Sequence, residues 1–176
     1  GAFKGCNAIE NITLPFVGAS RTSTGSNVYF GYIFGQYSYT GSYYANGYYL
    51  PNTLTEVIIT DATSIAASAF KDASRLTSII IPNSVTSIGE GAFSGVSNLK
   101  TITLPFIGQS KTSSGDNARF GFIFGKTSYT GSYSADGYYL PNGLTHIVIT
   151  DGVITIVEKA FSGASSLTEI IIPNSV

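Results

Sequence analysis

The chain repeats itself at two scales, and no other property constrains its fold as strongly. The short period is about 23 residues: after Ala69-Phe70 and Ala92-Phe93 come the matching stretches K-D-A-S-R-L-T-S-I-I-I-P and S-G-V-S-N-L-K-T-I-T-L-P. Similar text follows Ala2-Phe3 and Ala160-Phe161. The long period is about 90 residues: Ile12 to Asp61 aligns with Ile102 to Asp151 without a gap, identical at about two-thirds of positions. A unit this short cannot bury its own apolar face, so fixed periods of this kind mean stacked units that share one core.

Six segments carry the spacing L-x-x-I-x-L: Ile9/Ile12/Leu14, Leu54/Val57/Ile59, Leu76/Ile79/Ile81, Leu99/Ile102/Leu104, Leu144/Ile147/Ile149 and Leu167/Ile170/Ile172. The last two positions of each are two apart, so they share one face of a strand. Their β-branched character suits a pleated surface. Pro15, Pro82, Pro105 and Pro173 cannot donate a ladder hydrogen bond and end their strands. A second apolar pattern follows, Val85/Ile88/Ala92/Phe93 in one turn and Val153/Ile156/Ala160/Phe161 in another. Its spacing fits either a short strand or a single helical turn. The expected fold is a mainly β repeat solenoid of six turns in one domain over 1–176, with a parallel ladder.

Two gaps between anchors are twice the usual length, Ile9 to Leu54 and Leu99 to Leu144, each 45 residues. They predict aromatic-rich inserts over about 17–50 and 107–140. A structureless loop of that length is unusual in a compact domain. Each insert is therefore expected to fold partly on itself and partly on the solenoid edge. Gly1 corresponds to Gly91 inside the long repeat, so the chain reads as a piece of a longer array with uncapped end turns.

The segments G-A-F-S-G-V-S-N-L-K-T-I-T-L-P and I-I-I-P-N-S-V-T-S-I-G-E-G-A-F resemble the BspA-like, or Treponema pallidum type, leucine-rich repeat. That family's Cys position is held here by Cys6, Ala73, Val96 and Ala164, which reads as a packing site. The resemblance implies a leucine-rich repeat of about 23-residue turns on a secreted or cell-surface protein. It implies adhesion or binding of a host, matrix or other cell-surface protein. It brings no catalytic motif.

Composition narrows the remaining classes. Charged residues are only 11% of the chain and the net charge is −1, with no Lys/Arg cluster to suit nucleic acid. No apolar run approaches the ~18 residues of a membrane span. One cysteine and one histidine exclude an internal disulfide and a Cys/His metal cluster, and neither cofactor nor metal is expected. No nucleophile–base pair can be assembled, so the chain is read as non-enzymatic. Asn11-Ile12-Thr13 fits a glycosylation acceptor by chance, because Ile12 is assigned to the core. Asp61 and Asp151, just after their strands, read as turn-closing residues.

Two surfaces are candidates for binding. All twelve tyrosines lie in the inserts. Tyr39, Tyr43, Tyr48 and Tyr49 recur as Tyr129, Tyr133, Tyr138 and Tyr139, as Phe30, Ile33 and Phe34 recur as Phe120, Ile123 and Phe124. Repeated rings are assigned to the inserts' own packing. Tyr29, Tyr37 and Tyr44 become Arg119, Thr127 and Ser134, and such swaps suit exposed contact positions. The strand face is the other candidate. With L/I/L inward, one outward row is Asn11, Glu56, Ser78, Thr101, His146 and Glu169, and the other is Thr13, Ile58, Ile80, Thr103, Val148 and Ile171. Ile58, Ile80, Val148 and His146 are its candidate contacts. Cross-strand pairing of β-branched residues explains the second row equally simply, and a lone His in the first row reads as a solvated side chain. Protein binding is the leading expectation. Carbohydrate stacking on the insert tyrosines, and a pure spacer role, are the alternatives.

Overall fold

A computed structural model of the chain describes residues 1–150 and 152–176. The turn-closing role expected of Asp151 lies outside the described residues.

The six L-x-x-I-x-L segments form one parallel sheet. Its strands are β1 (Asn11–Leu14), β4 (Glu56–Ile59), β6 (Ser78–Ile80), β8 (Thr101–Leu104), β11 (His146–Ile149) and β12 (Glu169–Ile171), in that spatial order. The register is uniform: Ile12, Val57, Ile79, Ile102, Ile147 and Ile170 lie side by side across the sheet. The inward positions of the four middle turns, from Leu54 to Ile149, are buried, each 2% exposed or less. Alternation with a period of two thus turns the sequence pattern directly into a one-sided core. β12 forms an edge of the sheet, and all three of its residues are exposed.

Hydroxyl side chains tie each turn to the one before. Thr77 Oγ1 donates to the Thr55 carbonyl (3.2 Å), and Thr168 Oγ1 does the same to Thr145 (3.1 Å). Ser84 reaches the Ala62 carbonyl (2.8 Å), and Ser175 that of Val153 (2.7 Å). The Thr55 and Thr145 carbonyls also accept backbone N–H groups of the following turn, so the hydroxyls there reinforce the ladder. The second apolar pattern forms a short parallel pair, β5 (Ser64–Ile65) with β7 (Ser87–Ile88). So the strand alternative holds there, whereas no strand forms at Val153–Ile156.

The Ala-Phe corners build the rest of the core. Phe70 stacks on Phe93 with ring centroids 5.4 Å apart and planes at 17°. Phe30 lies 5.0 Å from Phe70, and Phe124 lies 6.1 Å from Phe93. Phe3 pairs with Phe34 and Phe161 with Phe120, so one column of rings runs the length of the chain. Its insert members come from two 3₁₀ turns, Phe30–Ile33 and Phe120–Ile123. The backbone repeats the same relation: Phe70 N donates to Ala92 O (2.7 Å), Phe30 N to Ala69 O (2.8 Å) and Phe93 N to Ile123 O (2.9 Å). In each 45-residue turn, F-G-Y-I-F or F-G-F-I-F therefore does the work of an Ala-Phe corner.

The extra length divides into two parts. One is a loop ending in a short 3₁₀ turn, Gly25–Val28 or Gly115–Ala118. The other is a β-hairpin, β2 (Ser42–Ala45) with β3 (Tyr48–Pro51), repeated as β9 (Ser132–Ala135) with β10 (Tyr138–Pro141). The hairpin tips are Asn46-Gly47 and Asp136-Gly137, all four residues with positive φ. That is the type I′ geometry matching the twist of paired strands, and Asn-Gly and Asp-Gly are its favoured sequences.

Candidate functional site

The tyrosines sort by what their rings do. Tyr48 and Tyr138 are buried under the 3₁₀ turns, and their hydroxyls donate to Ser26 O and Asp116 O, both at 3.1 Å. Each thus clamps its hairpin to the short turn at the start of the insert. The close approach needs Gly31 and Gly121, whose backbones lie against the Tyr48 and Tyr138 rings. Tyr39 and Tyr129 donate to the Tyr49 and Tyr139 carbonyls across their own loops. Tyr43 and Tyr133 reach outward to the following turn, at Arg75 and Ser166. Apart from Tyr48 and Tyr138 the repeated rings are half-buried, because a two-stranded hairpin covers its rings on one side only. Burial raises the pKa of several phenols, because it disfavours the charged phenolate. Tyr43 is pushed up to about 12, first by burial, with the Arg75 N–H and charge opposing. Tyr129 is raised, again first by burial.

The three unrepeated rings do not form one patch. Tyr44 is 62% exposed at the hairpin edge, with its ring 5.5 Å from Tyr49. Tyr37 is 73% exposed, and the Lys4 ammonium sits 5.1 Å from its ring centre. Tyr29 is half-buried and meets Tyr48 edge-on at 6.4 Å. Its replacement in the second copy gives it a structural role. Arg119 forms ion pairs of 3.1 Å with both Asp116 and Asp136, which replace Ser26 and Asn46. One copy joins the short 3₁₀ turn to the hairpin tip through charges; the other uses an aromatic ring. That exchange of three residues is visible in the sequence only when the two copies are aligned and the contacts are known.

Tyr37 lies instead beside Tyr32 and Tyr48. With Lys4, Asn27 and Gln36 among their neighbours, these rings line a cleft of about 350 Å³. Tyr32 is the member that sequence comparison passed over; it becomes Phe122, which is buried.

On the strand face, Ile58 and Ile80 are direct neighbours, then Thr103, then Val148 and Ile171. Ile58, Ile80 and Val148 are half-buried, since each outward side chain is flanked by its neighbours in the row. His146 stands in the other row, exposed, with Nε2 3.5 Å from a Glu169 carboxylate oxygen and Nδ1 2.7 Å from Thr145 Oγ1. At the far end of that row, the Asn11 amide, in its hydrogen-bonded orientation, donates to Glu56 Oε2 at 3.1 Å. Among the described residues no group of three or more His, Cys, Asp or Glu is placed to hold a metal. Among the described residues, no helix is long and apolar enough to cross a membrane.

What recurs in this geometry is a parallel β scaffold built from one repeated turn. A family model for the BspA type leucine rich repeat region matches residues 63–118 and 134–176, in six copies. No curated protein and no solved structure matches the chain significantly. The matched segments are more than half of the chain and contain β6, β8, β11 and β12 of the parallel sheet. Repeats of this family suggest protein-interaction modules. The chain belongs to the BspA-type leucine-rich repeat family.

Proposed function

We propose that the chain is a non-catalytic protein-binding module of a secreted or cell-surface protein. It works as one solenoid over 1–176, with aromatic inserts at about 17–50 and 107–140. The row Ile58, Ile80, Val148 and Ile171 carries this reading, because it keeps β-branched side chains on the sheet's outward face. A β-branched strip on an outward face, apolar on either side of Thr103, suits a protein partner, and repeat arrays commonly bind along such faces. His146 and Glu56 supply polar groups beside the strip. Adhesion to a host or matrix protein is the role that the family resemblance adds.

A second reading rests on the cleft of Tyr32, Tyr37 and Tyr48. Tyr37 and the half-buried Tyr32, with Asn27, Gln36 and Lys4, offer ring surface next to hydrogen-bonding groups, which is the chemistry of sugar recognition, and the buried Tyr48 backs them. Tyr37 is its exposed member.

The test is a binding screen against immobilised matrix proteins and a glycan array, with two variants alongside, Ile58→Asp/Val148→Asp and Tyr37→Ala. A protein hit lost in the first variant and kept in the second, at similar melting temperatures, is the expected result. A glycan hit lost in Tyr37→Ala would replace the first reading with the second. A folded chain without any hit would count against both and leave the spacer role.

A further inference from the structure

One corner of the solenoid breaks a rule that the others keep. Ser68 and Asp72 both have a left-handed backbone, with φ of +58° and +61°. Gly5, Gly95 and Gly163 hold the place of Asp72 in the other Ala-Phe corners, each with positive φ. Gly91 holds the place of Ser68 in the next corner, again with positive φ. A side chain is strained in this region and glycine is not, so the corner at 68–72 keeps two side chains against its own backbone preference. Strain of this kind gathers at binding sites.

Both side chains line a cleft of about 380 Å³, within the range of about 300–1,000 Å³ usual for small-ligand sites. Its other walls are the next corner, at Glu90 and Ser94, and the loop of the second insert that ends at Tyr129. It lies inside the array, at the β6 and β8 turns, with β1 and β4 on one side and β11 and β12 on the other. Backbone bonds lock the walls together: Asp72 N donates to Ser94 O (2.8 Å), Gly91 N to Phe122 O (3.0 Å) and Phe93 N to Ile123 O (2.9 Å). The buried Gly91 and Gly125 form the floor, and a Cβ on Gly125 would lie 3.1 Å from Gly91 Cα.

The polar groups around this cleft are uncommitted. Ser84 and Ser175 spend their hydroxyls on carbonyls of the preceding turn. Among the described residues, the hydroxyls of Ser68, Ser94, Thr127 and Ser128 make no such bond, and all four line the cleft. Nor does an ion pair engage Lys71, Asp72, Glu90 or Lys126 among the described residues. Lys126 rests over the Tyr138 ring, 5.4 Å from its centre. Two ammonium groups and two carboxylates leave no net charge to draw in an ion. They set donor-only and acceptor-only groups side by side, and the hydroxyls act as both. A sugar hydroxyl donates and accepts at once, so it uses the whole set, whereas an anion or a cation uses half of it. The Tyr129 hydroxyl is already spent on the Tyr139 carbonyl (3.3 Å), so Tyr129 adds ring surface for a sugar's C–H face.

The geometry points to this cleft as a binding site for a neutral saccharide, with the Asp72 and Glu90 carboxylates accepting its hydroxyl protons. The site is separate from the strand face and from the cleft at Tyr37, and it depends on neither.

The test is an amide NMR titration of the isotope-labelled chain with neutral hexoses, N-acetylhexosamines and their disaccharides, with glucuronate and glucosamine as charged controls. At least one neutral sugar should give saturable shifts at Gly91 and Gly125, more tightly than either charged control, and leave Gly35, beside Tyr37, unmoved. Asp72→Asn keeps a residue that tolerates the left-handed backbone and should weaken that sugar about tenfold. Asp72→Gly restores the glycine of the other corners and should abolish saturable binding while the melting temperature holds or rises. The proposal is overturned if no neutral sugar moves Gly91 and Gly125, if the shifts fall at Gly35 alone, or if a charged control binds more tightly. It is equally overturned if either Asp72 variant binds like the wild type, or if Asp72→Gly melts lower, because the Asp72 side chain would then serve the fold.

Discussion

The Tyr133 hydroxyl is joined twice to Ser166, at 2.9 Å from Oγ and as acceptor of the Ser166 backbone N–H at 3.2 Å. Ser166 Oγ gives its own proton to the Leu144 carbonyl at 2.7 Å, so Tyr133 is the donor to Oγ. The first copy has a thinner link: Tyr43 accepts only the Arg75 N–H, at 3.4 Å, with the Arg75 guanidinium 5.5 Å from the ring centre. Tyr133→Phe should therefore cost about 1–2 kcal/mol and Tyr43→Phe about 0.5 kcal/mol. Urea unfolding of both variants checks the order, and equal costs would show that the hydroxyl bonds do not set it.

Alkaline pH should report on Tyr43. Tyr43 holds its proton more tightly when folded, its value raised from 10.0 to about 12, chiefly by burial. A raised folded value means that the stabilisation is complete below the unfolded value and is lost as pH rises through the folded one. Stability should thus fall between about 10 and about 12, and Tyr43→Phe should flatten part of that fall. Tyr129 shifts in the same direction and keeps some slope in the variant. Parallel stability–pH profiles for the two proteins would rule out the assignment to Tyr43.

The ring column predicts a gradient of tolerance along the chain. Phe93 is fully buried between Phe70 and Phe124, so Phe93→Ala should cost about 3–5 kcal/mol. Phe3 has one ring partner and is half-buried, so Phe3→Ala should cost about 1–2 kcal/mol, well short of a full core truncation. Thermal melts of the two variants give the comparison.

Two glycines of the second insert, Gly121 and Gly137, are needed for different reasons. A Cβ on Gly121 would come within 2.5 Å of Tyr138 Cβ, at an ordinary φ. A Cβ on Gly137 would meet nothing within 4 Å, yet φ is +88°. Gly121→Ala should cost about 1–3 kcal/mol through overpacking, and Gly137→Ala about 1–2 kcal/mol through the left-handed backbone alone. D-Ala at 137, introduced by synthesis and ligation, should restore stability, whereas D-Ala at 121 should not.

The Arg119 network can be transplanted. Arg119→Tyr alone leaves Asp116 and Asp136 without their shared cation and should cost up to about 1 kcal/mol, as expected for exposed ion pairs. Adding Asp116→Ser and Asp136→Asn recreates the residues of the first copy and should return stability to near the starting value. A triple variant less stable than Arg119→Tyr would mean that the two copies do not use equivalent joints.

Much of this architecture is readable because its signals are local and repeated. The strands at Ile12, Val57, Ile79, Ile102, Ile147 and Ile170 follow from one spacing met six times. The 3₁₀ corners at Phe30 and Phe120 were not readable in the same way. F-G-Y-I-F shares no motif with Ala-Phe, and only its place between Phe3 and Phe70 identifies it. The hairpins did have a signal: A-N-G-Y and A-D-G-Y carry the type I′ pair between apolar residues. For the candidate site the limit is different. Tyr29 and Tyr37 look alike as unrepeated rings, but one is bound to Tyr48 and the other stands in solvent beside Lys4. That difference belongs to partners distant in sequence, so no inspection of either position alone reveals it.

The 90-residue duplication also sets a distance. β1 and its copy β8 are three strands apart in the sheet, and parallel neighbours are spaced by about 4.8 Å, so equivalent groups in the two copies recur at intervals of about 14 Å. The hairpins recur with them, like teeth cut at a constant pitch. A polymeric ligand whose own repeat matches that pitch would engage both teeth at once, and the second engagement would be intramolecular. A ligand of another periodicity would reach only one. For such ligands, spacing would discriminate before any single side chain did.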